Sequence, residues 1–395
     1  MPTDQQFPKF VIYHDKFLEY GGAEAVLEAF VKYLRPVKIV TSCVANKTFW
    51  TAMYGTPIEA PRLLSFIRTQ WMYRLLYPLV CLVVHFYRAG GLENSYLLVY
   101  SSSAAKFFSV GRAKKTVFYS NFPAKPLLKL ADYFGLRHLN WIKTPLLKLL
   151  HPGLCAWRSI ERAALNKYSA ITVISASAQA AYEGLFGVAS LPPIRVLHCP
   201  VKDSIFSFAD ESLRLPDLGV AVAADGAVVS GVILSRLYPE KHLEEAISYV
   251  DALPSVVLTV LGGGPLLNSF TEKYRRVHFT GYVDEIEKFR HLASADFLLV
   301  PTRQEWSLVT IEANILGIPV VCVESDAIRE INSAVSGNPH FPNLIYRDVS
   351  AISSMLRELP CRREALLKLR EKYFDEFSAR NVVKRLFQEV ALEVA

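Results

Sequence analysis

Three clusters of residues in the second half of the chain have the types and spacing to do chemistry together. Arg236 and Lys241 stand five apart across Pro239 in SRLYPEK, just after an apolar run. They could converge on a diphosphate, the arginine through forked hydrogen bonds and the lysine as a point charge; a pair of solvated surface cations is the alternative. Gly262-Gly263-Gly264-Pro265 closes the next apolar run, and reads as either a sharp turn or a place where backbone touches a ligand. The segment PTRQEWSLVTIEA, residues 301–313, passes from a strand end through a loop into a helix. The early N–H groups of that helix could face a phosphate. Glu312 within it could accept two sugar hydroxyls, or simply be a solvated helical carboxylate. Far upstream, Gly21-Gly22 also sits between a strand and a helix, but GGAEAV is not the G-x-G-x-x-G of a dinucleotide site.

Positioning such loops is the work of alternating strands and helices. Short apolar runs at Phe10–Tyr13, Lys38–Thr41, Leu97–Tyr100, Thr116–Tyr119 and Ala170–Ile174 read as strands, with a helix from about Ala23 to Leu34. Near residue 200 the pattern restarts, with strands at Val228–Leu234, Val256–Leu261, Val277–Thr280, Phe297–Pro301 and Pro319–Val323, and a helix at about Leu243–Asp251. Two α/β domains with parallel sheets follow: 1–200 and 205–377, with Phe377–Ser378 marking a break before a last helix. The loop after a parallel strand lies at the ligand-facing edge of its sheet, so Arg236, Gly263 and Gln304 fall at one edge.

Composition bounds the rest. With 395 residues, 51% hydrophobic and 21% charged, the chain is globular rather than disordered. Its six cysteines show no C-x-x-C spacing, which argues against a zinc ribbon and suits a reducing compartment. The start MPTDQQFPKF lacks the pattern of a secretory signal, giving an expectation of a cytoplasmic protein. The net charge of +7 is uneven: residues 1–200 hold 23 Lys and Arg against 10 Asp and Glu, net +13, and the remainder 21 against 27, net −6. The basic half would suit an anionic membrane surface or nucleic acid, or be ordinary solvated lysines. Residues 71–89 are apolar and aromatic, but Arg74, Pro78 and His85 interrupt them, leaving too short a run to span a bilayer. They read as a core helix or as a segment lying at a lipid interface. A long insertion at 122–168 gathers Lys125, Lys129, Arg137, Trp141, Lys143, Lys148 and Trp157 among leucines.

Taken in order, GGAE, SRLYPEKHLEEAI, LTVLGGGPL, VHFTGYV and PTRQEWSLVTIEANILGIPVV resemble the GT-B retaining glycosyltransferases of family GT4, closely over 228–323. The resemblance implies two Rossmann-like domains facing a cleft that holds a nucleotide-sugar, with a last helix (about 378–395) crossing back to the first domain. Arg236 and Lys241 match the family's donor-diphosphate cations, and Gly21 and Gly22 its loop near the same phosphates. Gly263 and Gly264 fall in the donor loop, Leu308 and Val309 at the distal phosphate, and Glu312 on the ribose. Asn121, in SNFP, and His14 fall on the acceptor side. Two departures stand out. Gln304 occupies the place of the family's first glutamate, with Glu305 next to it, and Asn121 stands where a histidine is common.

The implied reaction expels a nucleoside diphosphate from an anomeric carbon, so negative charge grows on the leaving oxygen and positive charge on the ring. Arg236 and Lys241 would stabilise the former, Gln304 and Glu305 border the latter, and the absence of any D-x-D triplet implies no bridging metal and no other cofactor. The donor sugar is expected to be of mannose or glucose type. The acceptor is expected to be a glycan or polyprenyl-linked saccharide, since SNFP loosely resembles lipid-linked oligosaccharide mannosyltransferases and the basic insertion suits peripheral contact with anionic membrane. The competing readings are a non-catalytic GT-B protein that binds nucleotide-sugar or glycan, a nucleotide-sugar epimerase, and, last, a nucleic-acid binder.

Overall fold

The computed structural model describes residues 9–101, 103–123, 153, 155–212 and 228–391. The chain divides into two compact units, Met1–His198 together with Val383–Ala395, and Cys199–Val382.

The first unit is built on seven strands: β1 (Phe10–His14), β2 (Lys38–Thr41), β3 (Ile58–Glu59), β4 (Tyr96–Tyr100), β5 (Lys115–Ser120), β6 (Ala170–Val173) and β7 (Ile194–Val196). They pair in parallel in the order β3-β2-β1-β4-β5-β6-β7. Central strands such as FVIYH are buried along their whole length, as expected where helices cover both faces of a parallel sheet.

The second unit repeats the plan with β8 (Val229–Leu234), β9 (Val256–Leu261), β10 (His278–Gly281), β11 (Phe297–Val300), β12 (Val320–Val323) and β13 (Leu344–Tyr346). Their order is β10-β9-β8-β11-β12-β13, again parallel. Its helices start and stop where local chemistry dictates. Asp284 caps Glu285–Ala293 by accepting from the Glu287 N–H at 2.8 Å, with acids in the first turn and Arg290 and His291 in the last, matching the helix dipole. Ser325 caps Asp326–Ser336, and Gly337 ends it at φ 73°. The long helix Leu359–Phe377 stops at an extended Ser378 before Ala379–Ala391 begins, the break read at Phe377–Ser378.

Strand edges shift by a residue from the sequence reading, and three short strands, β3, β7 and β13, were not foreseen. The stretch 71–89 becomes two helices, Gln70–Leu75 and Tyr77–Phe86, joined at Leu76. Pro78 sits near the start of the second helix, where a missing N–H breaks no hydrogen bond. Only one face of this pair belongs to the core, through Tyr73, Tyr77, Val80, Cys81 and Val84, so the core-helix reading holds for half of it. Among the described residues no helix is long and apolar enough to cross a membrane. Of the basic insertion, Lys125, Lys129, Arg137, Trp141, Lys143 and Lys148 lie outside the described residues. Trp157 proves to be a packing residue: its ring lies tilted against those of Tyr77 and Phe107, and its Nε1 donates to Glu161 Oε1 at 3.0 Å. Glu161 in turn pairs with Lys106 at 2.9 Å, both side chains fully buried. All six cysteines are free thiols.

Candidate functional site

In a doubly wound sheet, the loops leaving two neighbouring strands diverge where the strand order reverses, and the crevice outside that point is the usual ligand site. The second sheet reverses between β8 and β11. From the carboxyl end of β8 leaves the loop carrying Arg236, and from that of β11 the loop carrying Gln304 and Glu305. The topology therefore brings these two loops to adjacent strand ends.

The β8 loop is held rigidly. Ser235 N–H donates to Leu261 O at 3.0 Å, Leu237 N–H to Gly263 O at 2.9 Å, and Leu266 N–H to Leu237 O at 3.1 Å. The side chain of Leu237 is completely buried. That anchor presents Arg236 on the exposed side, its guanidinium 5.5 Å from the Tyr238 ring centre. Lys241 ends the short 3-10 turn Pro239–Lys241.

The glycine run is a tight turn, one of its two sequence readings. A Cβ on Gly262 would sit 2.1 Å from Ser235 O, and one on Gly264 2.4 Å from Leu237 O, at φ of +135° and +153°. These two glycines let the β9 loop lie against the β8 loop; the close approach they serve is to protein. Gly263 between them is the open position, its nearest neighbour being Tyr282 N at 4.0 Å.

The third loop enters the helix Leu308–Ile315. Its N-cap, Ser307, makes no capping bond, because its hydroxyl is within hydrogen-bond distance of Thr310 Oγ1 at 2.8 Å. No side chain therefore occupies the first-turn N–H groups at Leu308 and Val309, the condition for an anion to do so. Gln304 Nε2 reaches Thr302 Oγ1 at 3.5 Å, and Glu305 is exposed.

Glu312 is not a solvated helical carboxylate. Its Oε1 accepts from Lys288 Nζ at 2.7 Å, with 12% and 18% of the two side chains exposed, while Oε2 is buried without a hydrogen-bond partner. Lys288 comes from the helix Glu285–Ala293 and escaped the sequence reading, since nothing in spacing links residues 24 apart on different helices. Next to it, Glu285 feels burial, which raises its pKa, but Lys202 and Ser204 more than offset that and hold it below the usual carboxylate range.

The remaining expected residues lie in the first unit. Its sheet reverses between β1 and β4, and the loops leaving those two strand ends are tied to each other. Asp15, just past β1, accepts from Ser101 Oγ at 2.5 Å, Ser103 N–H at 3.0 Å and Ala105 N–H at 2.9 Å. His14 ends β1 with both ring nitrogens buried and without hydrogen bonds, Nε2 lying 3.5 Å from Glu24 Oε1. Gly21 precedes and Gly22 begins the helix Gly22–Leu34 that carries Glu24, and Gly21 offers the helix start no side-chain cap. Asn121 lies just past β5. Arg236, Lys241, Gly263, Gly264, Gln304, Glu305, Leu308, Val309 and Glu312 thus belong to the second unit, and His14, Gly21, Gly22 and Asn121 to the first. Among the described residues no three His, Cys, Asp or Glu side chains are grouped to hold a metal ion.

Two parallel doubly wound sheets of this kind define the GT-B fold, and the solved structures agree. HepE of Anabaena, determined with UDP-glucose, is 16% identical, with a TM-score of 0.62 over 98% of this chain and 100% of that one. Sucrose-phosphate synthase of Thermosynechococcus elongatus gives 15% and 0.65 over 98% and 99%. The lipopolysaccharide outer core galactosyltransferase WaaB gives 11% and 0.60 over 96% and 99%. No curated protein matches the sequence. Residues 230–359, all within the second unit, match the family described as Glycosyl transferases group 1.

Proposed function

We propose that the protein is a retaining glycosyltransferase of the GT4 type. It moves a hexosyl group, glucose- or mannose-like, from a nucleoside-diphosphate sugar to a glycan or a polyprenyl-linked saccharide. The observation that carries this reading is the β8–β11 switch point, where a cationic loop, an open Gly263, an uncapped helix start and the half-satisfied carboxylate of Glu312 belong to one domain. HepE, of the same fold, was solved with UDP-glucose, which supports a uridine nucleotide, and the name of WaaB supports a saccharide acceptor.

In this mechanism Arg236 and Lys241 carry the charge that grows on the departing diphosphate, together with the N–H groups of Leu308 and Val309. Gly263 lets the donor lie against backbone, and Glu312 Oε2 accepts from ribose hydroxyls. Gln304 holds a sugar hydroxyl without adding charge, and Glu305 beside it is the carboxylate nearest to stabilising the ring cation. His14 and Asn121 serve the acceptor, and Gly21 and Gly22 free the start of their helix for the same chemistry. Because cationic side chains carry the diphosphate, turnover is expected to need neither metal nor other cofactor.

The test is to incubate the purified protein with UDP- and GDP-linked sugars, with and without oligosaccharide acceptors. Nucleoside diphosphate release that depends on acceptor, and a product with the donor's anomeric configuration by NMR, support the reading. The Gln304 and Asn121 departures favour one competitor, a non-catalytic binder, which would show donor-dependent thermal stabilisation without release. Failure of every donor to bind or react would overturn both.

A further inference from the structure

We propose that the outward face of the helices Gln70–Leu75 and Tyr77–Phe86 docks on an anionic lipid bilayer, lying along its surface. This stands apart from the donor chemistry, because it rests on a different unit and different residues.

The helix Tyr77–Phe86 buries Tyr77, Val80, Cys81 and Val84, the i, i+3, i+4, i+7 stripe that packs a helix onto a core. An ordinary surface helix then carries charged or polar groups on its other side. This one carries a second apolar stripe instead. Trp71 and Leu75 stand four apart in the first helix, and Leu79, Leu82 and Phe86 three and four apart in the second, so each set shares one face of its helix. They are exposed by 64%, 64%, 41%, 55% and 68%. Leu63 and Phe66, in the segment leading into the pair, are also exposed. Seven exposed large apolar side chains within residues 63–86 mark an interaction site rather than scattered surface residues.

Charge selects the occupant. From Ala60 to Leu92 the sequence holds four arginines, Arg62, Arg68, Arg74 and Arg88, and no Asp or Glu, and all four arginines are exposed. A second copy of the chain meeting this face across a two-fold axis would bring like charges together. Lipid headgroups bearing phosphate complement them, while tryptophan and arginine stems settle at the boundary between headgroups and acyl chains. Among the described residues no helix is long enough to span, so the stripe lies flat, as interfacial helices do.

The experiment uses the full-length protein and sucrose-loaded vesicles of phosphatidylcholine, with or without phosphatidylglycerol. The wild type is expected to sediment with the phosphatidylglycerol vesicles. Leu82→Glu with Phe86→Glu is expected to lower the partition coefficient by about tenfold or more. Arg62→Gln with Arg74→Gln should lower it several-fold and flatten its salt dependence. Val188→Glu, at an exposed apolar site elsewhere in the same unit, serves as the control and should change nothing. Unchanged melting temperatures verify that the variants fold, and UDP-dependent thermal shift, read separately, reports on the donor site whatever the vesicles show. Absence of vesicle binding, equal binding by the glutamate variant, or equal binding to pure phosphatidylcholine would overturn the proposal. So would a concentration-dependent wild-type dimer, seen by analytical ultracentrifugation, that the glutamate pair dissociates; the face would then belong to a second copy.

Discussion

Glu312 has a hydrogen-bond partner on one carboxylate oxygen and none on the other. Lys288 satisfies Oε1 at 2.7 Å, while the buried Oε2 has no partner. A buried acceptor without a donor costs free energy until something supplies one, so a ligand hydroxyl there gains more than it would from a solvated glutamate. Glu312→Ala is expected to raise the Michaelis constant for the nucleotide-sugar by about 10- to 100-fold, measured by initial rates of diphosphate release. Arg236→Ala is expected to lower turnover by about 100-fold or more at an unchanged melting temperature; wild-type rates would remove its assigned role. Arg236, Lys241 and Glu312 were legible in the sequence as residue types at fixed offsets from strand ends. Lys288 was not, because an ion pair between two helices depends on how they pack onto the sheet, and local spacing carries no trace of that.

Loops and ladders decide stability at the next scale up. Gly262 and Gly264 separate two loops whose backbones nearly touch, and adding a methyl at either brings it within 2.1 or 2.4 Å of a carbonyl oxygen. Gly262→Ala should therefore destabilise the protein by about 2–4 kcal/mol, read by urea denaturation, and weaken donor binding as the β8 loop moves. A second device ties the helices of the same unit together. Asn343 Nδ2 donates to Asn314 Oδ1 at 3.0 Å and to Asn332 Oδ1 at 2.8 Å, and the Tyr373 hydroxyl donates to Asn314 Oδ1 at 2.8 Å. All three asparagines are fully buried. Asn343→Leu would take the donor from Asn332 Oδ1 and one acceptor from Asn314 Nδ2, while Tyr373 still serves Asn314 Oδ1, and should cost about 1–3 kcal/mol, the cost of an unsatisfied buried group. Runs such as VVLTVL announce their strands, whereas IE, IRV and LIY are too short for any periodicity to show. The glycine run was visible but not its purpose, since only the folded loops reveal that two of the three glycines face carbonyl oxygens.

Across the whole molecule, the charge imbalance between the halves has a local counterpart in Lys167. Burial, with the nearby Arg88 charge added, pushes its ammonium group down to about 7, and Nζ donates to Phe108 O at 2.5 Å. In the unfolded chain a lysine titrates near 10.4. Between about pH 7 and that value the unfolded chain therefore binds more protons, and stability rises with pH. Relative to Lys167→Met, the wild type is expected to be weakest near pH 6 and to gain steadily toward pH 9, as followed by urea unfolding. A pH-independent difference would place the group in water. The division into two units, each with its own parallel sheet, was legible from the restart of the strand pattern near residue 200, because each sheet announces itself through its own series of apolar runs.

The chain leaves the first unit after His198 and returns to it at Val383, where Leu386 helps line an apolar groove with Phe10, Leu34, Tyr96, Leu97 and Val117. The first unit is thus not a contiguous stretch of gene. A ribosome finishing residue 198 has made all seven of its strands but not Leu386, so this half waits for residues made much later before the groove has all its walls. A truncation that removes only the final helix would wound the half of the protein farthest from it in sequence.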